Sequence, residues 1–167
     1  MNIINSKIVN EKLFQNTINS PISFNGVGIH SGKAVNMTVF PADDNFGIVF
    51  KRIDLDKDNY IKVIPENIYF SKYCSKLKNK HGVYVGTVEH LLATLHSFDI
   101  NNVLIEINSP ELPAMDGSSY EFTKRLMEVG IQIQKKPKKV LKILKKVSIK
   151  DGVRSIKVLP SNHLSFS

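Results

Sequence analysis

Glu89 and His90 place a carboxylate next to an imidazole at the predicted start of a helix. A histidine nitrogen can ligate a metal ion, and a neighbouring carboxylate can take a proton from a water molecule that the metal activates. Neither residue falls on the apolar stripe of that helix, so both side chains could face a cleft. The alternative is structural, because acids are common in the first turn of a helix and a lone histidine is more often a surface residue.

The rest of the sequence does not complete a catalytic set by spacing. None of the five histidines is followed four residues later by Asp or Glu, and the His-Glu-x-x-His motif of zinc proteases is absent. Phosphate-binding loops and the Gly-x-Ser-x-Gly motif of serine hydrolases are absent too. The candidate base and ligand therefore need partners that spacing alone does not identify.

Two loops are rich in turn-forming residues. Residues 26–33 contain three glycines and His30, and glycine lets a ligand approach the backbone closely, although a simple turn or bulge explains the pattern as well. Residues 109–118 form a second such loop, which on chemistry alone is only an ordered connection.

The spacing of apolar residues indicates two helices that would position these loops. We expect Thr87 to be the N-cap of the first, whose apolar residues share one face. These residues are Val88, Leu91, Leu92, Leu95 and Phe98. Ser118, with Glu121 three residues later, forms a capping-box pattern before the second helix, and Gly130 is typical of its end.

Short alternating runs between Asp- and Asn-rich turns indicate strands at residues 34–39, 47–50, 60–64 and 103–107. Together with the two helices they predict an α+β fold, a two-layer structure in which two helices cover a sheet. The 167-residue length is sufficient to bury such a core.

A lysine-rich stretch at residues 135–139 marks the predicted domain boundary, giving domains at 1–135 and 136–167. Residues 135–167 hold ten of the 23 basic residues and one of the 15 acids, so the +8 net charge is concentrated there. Alternation from Leu141 onward, with a turn at Asp151 and Gly152, predicts a hairpin in this segment. A nucleic-acid-binding role for the basic segment is disfavoured, because its lysines alternate with a strand pattern and stacking aromatics are scarce.

The chain has a single cysteine, Cys74, and so forms no intrachain disulfide. Its first 16 residues lack the pattern of a secretory signal, and no apolar run approaches the ~18 residues of a membrane helix. We therefore expect a cytoplasmic protein without a transmembrane segment.

Several motifs in order resemble the N-terminal part of the UDP-3-O-acyl-N-acetylglucosamine deacetylase family. The matching stretches are residues 26–33, 47–52 with Asp54, 87–91, 99–102, 110–113 and 115–118. Members of this family are zinc-dependent enzymes that remove the N-acetyl group in the committed step of lipid A biosynthesis. The resemblance implies two similar α+β domains with the active site between them, of which this chain has the first and the opening hairpin of the second.

The resemblance also implies roles for individual residues. Glu89 matches the general base and His90 the first zinc ligand, while His30 and Cys74 lie on loops beside the site and are expected to contact the substrate. The other two zinc ligands are expected in the missing part of the second domain.

The sequence therefore predicts a truncated or split deacetylase for the acylated UDP-sugar, inactive alone and completed by a separate chain carrying the rest of the second domain. The alternative is a non-catalytic remnant or binding module that keeps the contacts of the first domain without hydrolysis.

Overall fold

The computed structural model describes residues 13–163 and residue 165. The chain divides into two compact units, residues 1–137 and residues 138–167. The N-terminal stretch on which the expected location partly rests lies mostly outside the described residues, since only residues 13–16 of it are included. The predicted domain assignment, with its boundary at residue 135, stays a prediction.

The first unit is built on a five-stranded sheet. Its strands are β2 (Ile22–Val27), β3 (Ala34–Pro41), β4 (Ile48–Arg52), β5 (Tyr60–Lys62) and β9 (Val103–Ile107). Their order across the sheet is β2-β3-β9-β4-β5, and all neighbours are antiparallel except β4 and β9, which are parallel. Strand β9 matches the predicted strand at both ends.

Alternation along these strands separates a buried face from a partly solvated one. In register across the sheet, Val39 pairs with both Ile22 and Ile105, and Phe50 pairs with Ile105 and Ile61. All five of these side chains are buried. On the opposite face, polar residues are mixed with the apolar residues Phe40, Leu104 and Val49, which lie in register, so alternation distinguishes the two faces only in part.

Two helices supply the rest of this core. Helix α1 spans Glu89–Ser97 and buries Leu91 and Leu95, and helix α2 spans Tyr120–Val129 and buries Phe122 and Leu126. These residues belong to one hydrophobic cluster with the buried side chains of the sheet. The predicted α+β class is confirmed.

The capping predictions for both helices are wrong. The N-cap of α1 is Val88 instead of Thr87, and that of α2 is Ser119 instead of Ser118. Ser118 still contributes to the start of α2, because its hydroxyl accepts from the Tyr120 amide at 3.0 Å. Thr87 has a positive φ of 57° and uses its hydroxyl in a tertiary hydrogen bond to Glu111, which outweighs local capping.

Two smaller sheets complete the first unit. Strand β1 (Phe14–Ile18) pairs antiparallel with β10 (Ile131–Pro137), so the lysines at 135 and 136, in the lysine-rich stretch taken as the predicted boundary, belong to a strand. Strands β6 (Ile68–Tyr69), β7 (Lys76–Lys78) and β8 (Tyr84–Gly86) form an antiparallel sheet that leads directly into α1. The sequence analysis predicted neither sheet, because these strands are short or depend on partners distant in sequence.

The second unit contains the predicted hairpin, with β11 (Val147–Asp151) paired to β12 (Arg154–Val158). Leu141 and Ile143, which we expected to continue the first strand, lie outside it. To extend the hairpin, these residues would have to pair with residues after Val158. Pro160 lies there and has no amide hydrogen to donate to the partner strand. Among the residues described, no helix has the length and apolar character needed to cross a membrane.

Candidate active site

Glu89 and His90 occupy the first two positions of helix α1 and are both half-buried. The Oε2 atom of Glu89 accepts a hydrogen bond from the backbone amide of Ser75 at 3.0 Å. Among the residues that the structure describes, no donor bonds to the other carboxylate oxygen, so this acid is oriented and keeps one oxygen available. A partly buried, oriented carboxylate beside an imidazole is the arrangement expected of a general base near a metal ligand.

A sharp turn between β8 and α1 sets the direction of this helix. Gly86 donates its amide to the Pro110 carbonyl at 2.9 Å and accepts from the Leu112 amide at 3.1 Å. Thr87 follows in the left-handed region, which is unfavourable for a β-branched residue and persists only where tertiary contacts hold it. The start of α1 is therefore positioned by the loop at residues 109–118, a segment distant in sequence.

The His30 loop reaches the same place from the end of β2. It is closed by backbone bonds from Gly28 to Lys33 at 3.0 Å and from Gly32 to Gly28 at 2.9 Å. The amides of His30 and Ser31 both donate to the carboxylate of Glu111. The His30 side chain itself is exposed, and so is available to a ligand.

Cys74 lies on the loop between β6 and β7, half-buried, with Sγ 3.3 Å from the hydroxyl of Ser71. The next residue, Ser75, is the one whose amide holds Glu89. The structure thus links Cys74 to the helix start through the backbone, and places all four predicted site residues on loops or a helix end that meet there.

Two further acids belong to this region, and the sequence analysis singled out neither. Glu111 is buried and also accepts a hydrogen bond from the Thr87 hydroxyl at 3.1 Å. Burial raises its pKa, but the hydrogen bonds from His30, Ser31 and Thr87 together outweigh burial and hold the pKa below its ordinary value. An acid flanked by prolines in a turn-rich loop is the signal that could have suggested it.

Asp116 is the second of these acids and lies close to His90. Hydrogen bonds from the amide and hydroxyl of Ser118 lower its pKa, and an electrostatic interaction with His90 acts in the same direction. The hydroxyl of Ser119 donates to the His90 carbonyl at 3.2 Å, which ties the start of α2 to the start of α1.

The donor set for a metal is incomplete within this part of the chain. Across residues 13–163, no group of three or more His, Cys, Asp or Glu side chains is arranged to hold an ion. A structural or catalytic zinc site needs at least three protein ligands. His90 alone can therefore serve only as one member of a larger ligand set.

Comparison with known proteins gives consistent matches. Residues 15–167 match the family model described as LpxC, UDP-3-O-acyl N-acetylglycosamine deacetylase. The chain is 47% identical over 154 residues to the UDP-3-O-acyl-N-acetylglucosamine deacetylase of Francisella tularensis subsp. tularensis, covering 91% of this chain and 54% of that protein. It is 43% identical over 150 residues to the protein of the same name from Neisseria meningitidis serogroup C, covering 89% and 49% respectively. The chain spans about half the length of the curated relatives it matches.

Proposed function

Because the chain belongs to the UDP-3-O-acyl N-acetylglycosamine deacetylase family, we propose that it contributes the catalytic base and one metal ligand to a zinc-dependent deacetylase. The substrate is the acylated UDP-N-acetylglucosamine named for its relatives, and the reaction hydrolyses the N-acetyl amide. The activity would supply the committed step of lipid A biosynthesis in the cytoplasm. The single observation that carries the proposal is the Glu89–His90 pair at the start of α1, with one carboxylate oxygen anchored by Ser75.

In the proposed reaction, Glu89 takes a proton from the water that attacks the acetyl carbonyl and can return it to the glucosamine nitrogen as acetate leaves. The Ser75 amide fixes one oxygen of Glu89, which orients the other for proton transfer. His90 would hold the zinc ion together with ligands from outside the described residues. When bound, zinc supplies a positive charge that stabilises the negative charge developing on the carbonyl oxygen.

His30 and Cys74 are proposed to contact the substrate. His30 presents an exposed imidazole on a loop whose backbone is fixed, and Cys74 lies on the loop that anchors Glu89. In this proposal a second polypeptide, or a further part of the same protein, supplies the remaining zinc ligands.

A second candidate function is binding of the UDP-sugar without hydrolysis. It is favoured by one observation, namely that residues 13–163 include no group of three metal-ligating side chains. The two candidates differ in whether zinc and turnover appear once the remaining ligands are supplied.

The test measures zinc content and release of acetate by the chain alone and after mixing with the C-terminal half of the Francisella tularensis relative. We expect both only in the mixture, with acetate release lost in Glu89→Gln and zinc lost in His90→Ala. The matched control is His96→Ala, which removes an exposed imidazole from the last turn of the same helix. Substrate binding without acetate release in the mixture would favour the binding module. Absence of both substrate binding and acetate release would refute both candidate functions.

A further inference from the structure

We propose that Glu111 is a positioning residue of this site, whose carboxylate ties the His30 loop to the turn that starts helix α1. Residue type and spacing assign Glu111 no role in the site. The consequence of the tie for catalysis rests on the proposed deacetylase function, but the tie itself can be measured without substrate.

The carboxylate bridges two segments that are far apart in the sequence. Its Oε1 atom accepts from the His30 amide at 2.9 Å and from the Thr87 hydroxyl at 3.1 Å, and its Oε2 atom accepts from the Ser31 amide at 2.8 Å. Thr87 is two residues before Glu89. A single side chain therefore fixes the distance between the loop carrying His30 and the helix end carrying the candidate base.

The loop is shaped to admit this carboxylate. A Cβ atom added at Gly28 would lie 2.4 Å from Oε2 and 2.9 Å from Cδ of Glu111, far inside van der Waals contact. Gly28 is itself buried and has no left-handed φ that would require glycine. The Ser31 hydroxyl oxygen would also lie 2.4 Å from the added Cβ, so a side chain at this position would displace both the Glu111 carboxylate and the Ser31 hydroxyl.

The backbone on either side of Glu111 is fixed to the same turn. Pro110 and Leu112 both bond to Gly86, and Gly86 forms a parallel bridge with Glu111. The amide of Ala114 donates to the Val27 carbonyl at 2.9 Å, next to Gly28. Glu111 therefore acts from a rigid base, so a change in its side chain alters the two loops more than its own backbone.

The energetics point to a role beyond packing. Glu111 is 5% exposed, and among the residues described it has no ion pair with Lys, Arg or His. A buried carboxylate without a counter-charge is costly, and it is retained here by neutral donors from two loops. Several donors that bond to one carboxylate fix their own positions relative to each other, which is what a positioning residue must do.

The first experiment measures amide hydrogen exchange by NMR in the 167-residue chain carrying Glu111→Gln. Glutamine has the same shape but only one acceptor oxygen, so at least one of the His30 and Ser31 amides must face an NH2 group. We expect at least about tenfold faster exchange at one of these amides, with unchanged exchange at Met37 and Ile105 in the central sheet. The matched control is Glu66→Gln, the same substitution at an exposed acid.

A second variant tests the tie from its other end and does not remove the carboxylate. Thr87→Val keeps the β-branched shape and removes the hydroxyl, and we expect the amide resonances of His30 and Ser31 to shift although they are more than 50 residues away in sequence. This variant decides the matter if Glu111→Gln does not fold. Equal acceleration of exchange at all amides, unchanged exchange at His30 and Ser31, or no shift of their resonances in Thr87→Val would overturn the proposal.

The link to catalysis is tested in the mixture that shows deacetylase activity. Glu111→Gln should lower kcat/KM about tenfold or more, and much less when His30 is already alanine, because the tie then has less to position. Equal losses in both backgrounds would overturn the role in positioning His30. Absence of activity in the unsubstituted mixture would refute the proposed function and leave the exchange result to decide the tie.

Discussion

Replacing Arg52 with methionine should destabilise the first unit by breaking an ion pair beside the candidate site whose arginine side chain is buried. The guanidinium donates from Nε and one terminal nitrogen to the two oxygens of Asp54, at 2.8 and 2.6 Å. The other terminal nitrogen donates to the Tyr84 carbonyl at 2.9 Å, three residues before Thr87. Arg52 thus joins the end of strand β4 in the central sheet to the strand that leads into α1.

The expected loss is about 3 kcal/mol in the free energy of unfolding. Hydrogen bonds to charged groups contribute about 1.5–3 kcal/mol each, but the Asp54 side chain is 31% exposed, so water recovers part of the two carboxylate bonds. We take about 1 kcal/mol for each of them, and about 1 kcal/mol for the Tyr84 carbonyl left without this donor. Methionine keeps much of the apolar stem of arginine, so packing adds little.

The measurement is urea unfolding followed by circular dichroism, since the chain has no tryptophan. The control is Arg125→Met, because Arg125 and Glu128 form an ion pair of 2.8 Å between side chains that are 47% and 45% exposed. That substitution should cost less than about 0.5 kcal/mol. A loss below about 1 kcal/mol for Arg52→Met, or equal losses for both arginines, would refute the argument that burial gives this pair its strength.

Three further predictions concern the first unit and use the same unfolding assay. Acidification should destabilise the unsubstituted chain more steeply than Arg52→Met, because the hydrogen bonds from Arg52 hold the pKa of Asp54 below its ordinary value. The stability contributed by this ion pair is present when the pH is above the ordinary pKa of Asp54, and it is lost as the pH falls through the lowered pKa of the folded state. Parallel slopes of unfolding free energy against pH for the two proteins would contradict this. Phe50→Ala should cost about 3–5 kcal/mol, since the ring is fully buried in the sheet, and a loss below about 2 kcal/mol would mean that the cavity collapses. Asn102→Ala should cost about 2–3 kcal/mol and accelerate exchange of the Gly47 amide, because Asn102 accepts from that amide at 2.7 Å and donates to the buried Gln15 and the half-buried Gln134. Unchanged exchange at Gly47 would contradict this bond.

Local patterns in the sequence were sufficient for the main elements of the first unit. Alternation predicted β9 with its observed bounds, and the 3.6-residue period located α1 and its buried face at Leu91 and Leu95. These signals are readable because each residue's burial follows from the geometry of its own element. Strands β1 and β10 escaped prediction because their pairing joins segments more than 110 residues apart.

The candidate site divides in the same way. Glu89 and His90 are predicted as candidates from residue type and position at a helix start, and the family follows from ordered motifs, which are properties of the chain itself. Glu111 was overlooked because its importance lies in its burial and its three donors, which come from two segments at least 24 residues away. Thr87 was assigned to the wrong role for the same reason.

The sequence by itself therefore determined the fold class, the family and the residues with reactive side chains. Only the tertiary structure decided which of these side chains are positioned by hydrogen bonds, and which neighbours supply those bonds. The physical reason is that propensity and periodicity act within a few residues, whereas the hydrogen bonds of Glu111 form only after the sheet and helix have brought its partners together.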